Sequence, residues 1–204
     1  MLHSKLPNVG TTIFTTMSAM AAEYGAINLS QGFPDFSPPA ELLTALAKAL
    51  QDGKNQYPPM MGVAELRHQI QLKIAQLYGV DVDMDREITV TSGATEALFV
   101  AIQAIVQRGD EVIIIDPAYD AYQPSIELAG GIAVHVSMTP DFSIDWQQVQ
   151  DAITPRTRGI IVNSPHNPTG SVLTQQDLEA LAQLTEQHDL FVISDEVYEH
   201  MVFD

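Results

Sequence analysis

Asp195 and Tyr198 are the pair in this chain best spaced to share one ligand. They close the run Phe191-Val192-Ile193-Ser194-Asp195-Glu196-Val197-Tyr198, whose first three residues read as a short strand buried on both faces that stops at a carboxylate. An acid just past a buried strand often serves only as a helix cap or a satisfied loop residue. The alternative is functional: open α/β sheets bind ligands at the carboxyl ends of parallel strands, where Asp195 would meet a cation in a crevice. If the chain leaves the strand in a helical turn, positions three apart share a side, and acid and phenol aim at one ligand. Two more polar stretches follow apolar strands of their own, Thr91-Ser92-Gly93-Ala94-Thr95-Glu96 and Asn163-Ser164-Pro165-His166-Asn167-Pro168-Thr169-Gly170.

The first of these changes at Ser92-Gly93 from strand to helix pattern. Free backbone N–H groups and the positive dipole end at such a junction attract an anion, which makes Ser92 to Thr95 a candidate phosphate cradle, with a plain strand–helix connection as the alternative. The spaced glycines of a dinucleotide fingerprint and the Gly-Lys-Ser/Thr ending of a nucleotide loop are both missing, so nicotinamide and nucleoside triphosphate readings weaken. Tyr119 and Tyr122, just past Asp116-Pro117, offer aromatic faces for a planar ligand or for filling a gap. Glu196-x-x-Glu199-His200 has helical metal-ligand spacing, but His3, His68, His135, His166 and His188 form no matching cluster, so no metal is expected. A serine-histidine-acid triad has no nucleophile elbow.

The elements that must position these residues alternate. Strands are expected at 88–91, 112–115, 131–138, 159–162 and 191–193. Helices are expected at 40–50, 64–78, from Ala94 to a stop at Gly109, at 145–153, and from a Thr174/Asp177 capping box to near His188. Residues 1–30 read as an arm with a short helix-like piece, Ile13 to Ala21, whose apolar positions are expected to pack against something. Gln31 to Pro39 reads as a prolonged turn. Alternation of this kind predicts an α/β fold, a mostly parallel sheet covered by helices on both faces. A chain of 204 residues with 46% hydrophobic content supports a real core. Nine Lys and Arg against 26 Asp and Glu give a formal charge of -17, which argues against nucleic acid and anionic membranes as partners. The lack of cysteine excludes disulfides and thiol chemistry and suits a reducing cytoplasm, and neither a signal peptide nor a bilayer-length apolar run is visible.

Taken in order, Ser92-Gly93-Ala94-Thr95, Asp116-Pro117-Ala118-Tyr119, Asn163-x-Pro165-x-Asn167-Pro168-x-Gly170 and Ser194-Asp195-Glu196-x-Tyr198 resemble the class I/II, fold-type I pyridoxal-phosphate aminotransferases. The entry Ile27-Asn28-Leu29-Ser30-Gln31-Gly32-Phe33-Pro34-Asp35-Phe36 is most similar to the branch of methionine and kynurenine aminotransferases. The resemblance implies that pyridoxal 5'-phosphate is the cofactor and that Asp195 pairs with its pyridine nitrogen, keeping it protonated and the ring a good electron sink. It further implies that Tyr198 and Asn167 bond the ring's 3-oxygen, that Tyr119 stacks on the ring, and that the Ala94 and Thr95 amides hold the phosphate. Tyr57 would reach the phosphate of the neighbouring subunit in a homodimer, Gly32 would line the pocket for the substrate carboxylate, and Phe14 would flank the substrate side chain.

The expected reaction is transamination between an L-amino acid (methionine, aromatic or kynurenine-like) and a 2-oxo acid. Carbon–sulfur β-lyase chemistry and a non-catalytic aminotransferase-like fragment or module are the alternatives. The family's Schiff-base lysine lies downstream of the Asp-x-x-Tyr motif, whereas Lys5, Lys48, Lys54 and Lys73 all precede it. That lysine is therefore expected beyond Asp204, along with the arginine that grips the substrate carboxylate and the strand that pairs with 88–91. On this reading 1–30 is an N-terminal arm belonging to the small domain, and 31–204 is a large domain incomplete at its C-terminus.

Overall fold

The computed structural model describes residues 3–7, 9–32, 34 and 36–203. Phe33 and Asp35 of the entry motif lie outside the described residues. The chain forms two compact units, Thr11–Thr91 and Ser92–Asp204 together with Met1–Gly10.

Unit Thr11–Thr91 holds three helices, α1 (Ile13–Tyr24), α2 (Ala40–Gln51) and α3 (Ala64–Tyr78). Helix α3 ends where its spacing predicts, at Gly79, whose left-handed φ of 66° only glycine adopts without strain. Buried Arg67 ties the loops on both sides of α3 to the helix, donating to the carbonyl of Gly62 before it and that of Met84 after it, and pairing with Asp85. Two expectations fail in this unit. Residues 88–91 do not form a strand, because no described segment offers them a ladder; the Val90 N–H instead donates to the Met61 carbonyl at 3.0 Å. The apolar positions of α1 do not pack into a core: Ile13, Met17 and Met20 are exposed and no residue of the helix is buried.

Unit Ser92–Asp204 is built on a four-stranded, all-parallel sheet in the order β2-β1-β3-β4, with β1 Glu111–Asp116, β2 Ile132–Ser137, β3 Thr157–Asn163 and β4 Phe191–Asp195. Central strand β1 is buried along nearly its whole length, so its apolar run Val112 to Ile115 points both ways. On one side Val112, Ile114 and Ile161 pack with Leu98, Ile102 and Ile126, from α4 (Ala94–Ile105) and α5 (Tyr122–Ala129). On the other, Ile113, Ile115, Ile160 and Val162 meet Val149, Leu181 and Leu184, from α6 (Trp146–Asp151) and α7 (Gln175–His188). The expected two-sided covering is therefore present.

Strand β4 departs from expectation. Phe191 and Ile193 pack on the sheet, but Val192 is 40% exposed, since β4 is an edge strand whose second face is open. Gly159 lets β4 lie close: a Cβ there would fall within 2.4 Å of the Phe191 ring. Helix α5 was not legible in the sequence. Pro124 interrupts its pattern, yet it falls in the first turn, where its missing N–H has no intrahelical acceptor anyway.

The two ends of the sheet treat their buried acids differently. At the amino end, Glu111 is neutralised by Arg156 and bonded by Thr154, whose hydroxyl is the chief cause holding its carboxyl below the usual range against the opposing effect of burial. The other buried acid, Asp195, lies at the carboxyl end.

Candidate active site

Asn163 and Asp195 are register partners at the carboxyl ends of β3 and β4. The strands thus deliver two polar side chains to one spot, and Asn163 uses both ends of its amide there. Its Nδ2 donates to the Asp195 carbonyl at 2.8 Å, while its Oδ1 accepts the Asn167 N–H at 2.7 Å. The loop after β3 is held in this way against the end of β4.

Beyond Asp195 the chain turns, with the Glu199 N–H donating to the Glu196 carbonyl and the Met201 N–H to that of Tyr198. The turn puts Asp195 and Tyr198 on the same small cavity, of about 170 Å³, which Ala94, Thr95, Tyr119 and Asn167 also line. Six side chains or amides drawn from four separate stretches of sequence therefore converge. Glycine at the α4 N-cap (φ 85°) opens the helix without a side-chain cap, so the amides of Ala94 and Thr95 have no partner four residues back. Thr95 Oγ1 and the Tyr119 hydroxyl lie 3.2 Å apart, which fixes the Tyr119 ring beside the helix start.

Asp195 is 9% exposed, and among the described residues its carboxylate is met by neutral donors, the Tyr122 hydroxyl at 2.6 Å on Oδ2 and the Val197 N–H at 3.2 Å on Oδ1. Among the described residues no Lys, Arg or His pairs with it. A buried carboxylate without a cation is costly, and Glu111 shows how the same sheet satisfies one when only structure is at stake. One cavity is thus lined by both a carboxylate and a helix N-terminus. A ligand carrying both a cationic and an anionic group would find a partner for each there.

The sequence profile described as aminotransferase class I and II matches residues 24–204. This chain belongs to that family. Among its relatives, methionine aminotransferase of Escherichia coli is 54% identical over 98% of this chain and 52% of that protein. The probable N-succinyldiaminopimelate aminotransferase DapC of Mycobacterium tuberculosis is 47% identical over 100% of this chain and 52% of its own length. Kynurenine–oxoglutarate transaminase 1 of Rattus norvegicus is 37% identical, over 98% and 51%. The crystal structure of Escherichia coli YbdL, described as having a methionine aminotransferase function, superimposes with a TM-score of 0.94 at 53% identity, covering 98% of this chain and 53% of that one. The aminotransferase chain here spans about half the length of the curated relatives it matches. Its fold is that of about half of a fold-type I aminotransferase chain.

Of the residues singled out in the sequence, the aminotransferase unit Ser92–Asp204 brings six together around one cavity: Ala94, Thr95, Tyr119, Asn167, Asp195 and Tyr198. Tyr57, Gly32 and Phe14 belong to unit Thr11–Thr91; Tyr57 is fully exposed, Gly32 is exposed, and Phe14 is half-buried on α1. His200 pairs with its neighbour Glu199 at 2.9 Å, and Glu196 accepts the Ser194 hydroxyl. His166 is buried, which lowers its pKa, and its Nδ1 lies 2.9 Å from the Thr169 hydroxyl. Sequence reasoning gave Asn163 no role beyond its motif and left Tyr122 open between a ligand's face and a filled gap. The signal for Tyr122 was its spacing of three from Tyr119 on an unrecognised helix, and its bond to Asp195 spans 73 positions.

Proposed function

We propose that the polypeptide to which these residues contribute is a pyridoxal-phosphate-dependent aminotransferase acting on an L-amino acid and a 2-oxo acid, with methionine as the first amino donor to test. The observation that carries this is the buried carboxylate of Asp195, which no Lys, Arg or His pairs with among the described residues, on the cavity that the open start of α4 also lines. The cofactor supplies a pyridine ring that accepts the substrate's electrons when its nitrogen is protonated, together with a phosphate and a 3-oxygen that need holding. The residues present fit those three demands. Asp195 would hold a proton on the ring nitrogen, because an opposite charge in a poorly hydrated cleft favours the protonated form. Asn167 and Tyr198 would donate to the 3-oxygen, Tyr119 would cover the ring face, and the amides of Ala94 and Thr95 would take the phosphate oxygens.

The finer parts of the reading rest on the family. On that reading a lysine outside these 204 residues would hold the cofactor covalently, and Tyr57 would reach the phosphate of a partner subunit in a homodimer. Gly32 and Phe14 line the substrate side, with 1–30 an arm of the small domain. A cytoplasmic setting is part of the same proposal.

Asp195→Ala in the full-length polypeptide is the deciding experiment. Amino transfer from methionine to a 2-oxo acid should fall by about 100-fold or more, the scale for losing one fixed electrostatic partner of the reacting system. Undiminished turnover would remove the basis of the proposal. Formation of a 2-oxo acid, rather than thiol release with ammonia, separates transamination from carbon–sulfur lysis.

A further inference from the structure

Tyr122 stands on α5 with its side chain 3% exposed among Leu98, Ile102, Ile114 and Ile126, in surroundings that would suit a phenylalanine. Its hydroxyl donates to Asp195 Oδ2 at 2.6 Å. A phenol buried in an apolar cluster needs a partner, and this one has found the single acid on which the proposed chemistry turns. Burial first, then the hydrogen bond and negative charge of Asp195, push the phenol well above its ordinary value, so the group remains a donor throughout the working pH range.

The Asp195 carboxylate would otherwise be free to rotate about its last torsion. The Val197 N–H fixes Oδ1 from the turn, and Tyr122 fixes Oδ2 from a helix on the far side of the strand end. Two donors on different oxygens set the plane of the carboxylate and leave one lone-pair direction on each oxygen for a ligand. Tyr122 is in turn braced by Tyr119, whose ring meets it edge to face at a centroid distance of 5.7 Å. Tyr119 also touches Thr95 at the start of α4. A continuous chain of contacts therefore runs from the helix start through Tyr119 and Tyr122 to Asp195.

We infer that Tyr122 is a positioning residue: it never touches the cofactor, and it holds the Asp195 carboxylate in the plane needed to meet a protonated ring nitrogen. This inference rests on the function proposed above, and its test separates the two. In the full-length polypeptide, Tyr122→Phe keeps the ring and its packing while removing the donor. The dissociation constant for pyridoxal phosphate, from a fluorescence titration, should rise about tenfold, as for one hydrogen bond to a charged group. The ¹⁵N resonance of ring-labelled cofactor should shift, a signature that loss of general stability would not produce. In an Asp195→Ala background the same substitution should have little further effect on affinity, since Tyr122 acts only through Asp195. If Asp195→Ala weakens binding but Tyr122→Phe leaves both affinity and the ¹⁵N signal as in the wild type, or adds its full effect to Asp195→Ala, the role of Tyr122 is refuted alone. If Asp195→Ala itself leaves cofactor binding unchanged, the functional reading falls with it. Far-ultraviolet circular dichroism of each variant shows that the fold is retained, and a Tyr122→His variant, which restores an N–H donor in a ring, should recover part of the lost affinity.

Discussion

Asn163 shows how much one buried amide organises. Its side chain bonds the backbones of both residues that flank the cavity from the sheet side, Asp195 and Asn167. Removing it leaves the Asn167 N–H without its acceptor and the Asp195 carbonyl with only the Ser164 N–H. Asn163→Ala should therefore lower unfolding stability by about 2–3 kcal/mol, two hydrogen bonds at a partly buried site, seen as a lower denaturant midpoint at unchanged slope. An unchanged midpoint would mean that the loop after β3 is held by something else. The carboxylate itself was legible beforehand, because an acid ending an apolar strand is conspicuous in a sequence. Tyr122 and the double use of Asn163 were not, since both depend on which strand ends become neighbours, and register does not show in a local pattern.

Elements with strong local signals appeared where periodicity placed them: β1 with its unbroken apolar run, α3 stopping at Gly79, and α7 opening at a capping box. Elements that depend on a neighbour did not. Residues 88–91 carry strand-like residues yet form no strand, and β4 has an open face that its apolar start conceals. The start of α7 carries a prediction of its own. Thr174 and Asp177 cap each other reciprocally, and Asp177 Oδ1 also accepts the Trp146 Nε1–H at 2.8 Å, tying α6 to α7. Burial would raise the Asp177 carboxyl, but hydrogen bonds from Thr174 and Trp146 outweigh it and hold the group below its ordinary value. The unfolded chain then binds the proton more readily than the folded one. The contribution is present above the ordinary carboxylate range, near pH 4, and is lost as pH falls through the lower folded value. Asp177→Ala should cost about 1–2 kcal/mol at neutral pH, with a smaller deficit in acid. Fluorescence of Trp146, the single tryptophan, reports it directly. A deficit that stays constant from pH 7 to pH 2 would contradict the linkage.

At the scale of the whole chain, exposed apolar surface and net charge oppose each other. Leu42, Leu43, Leu46 and Leu50 lie along α2, each between 48% and 60% exposed, and the free edge of β4 presents unpaired backbone beside Val192. Surfaces of these kinds recruit other chains, the helix face through apolar burial and the strand edge through its open hydrogen-bonding groups. Against them stands a formal charge of -17, which keeps copies of the chain apart while it is unscreened. Salt decides between the two. The screening length is about 30 Å at 0.01 M ionic strength and about 8 Å at 0.15 M, so repulsion between approaching molecules collapses over that interval while apolar attraction persists. Residues 1–204 expressed alone should therefore remain dispersed at low ionic strength and associate as salt is raised, in sedimentation velocity runs at fixed protein concentration. Full-length polypeptide should show less of this self-association if its further residues cover α2 and pair with β4. A fragment that stays monomeric across the salt range and unfolds in one cooperative thermal transition would show that these surfaces need no partner.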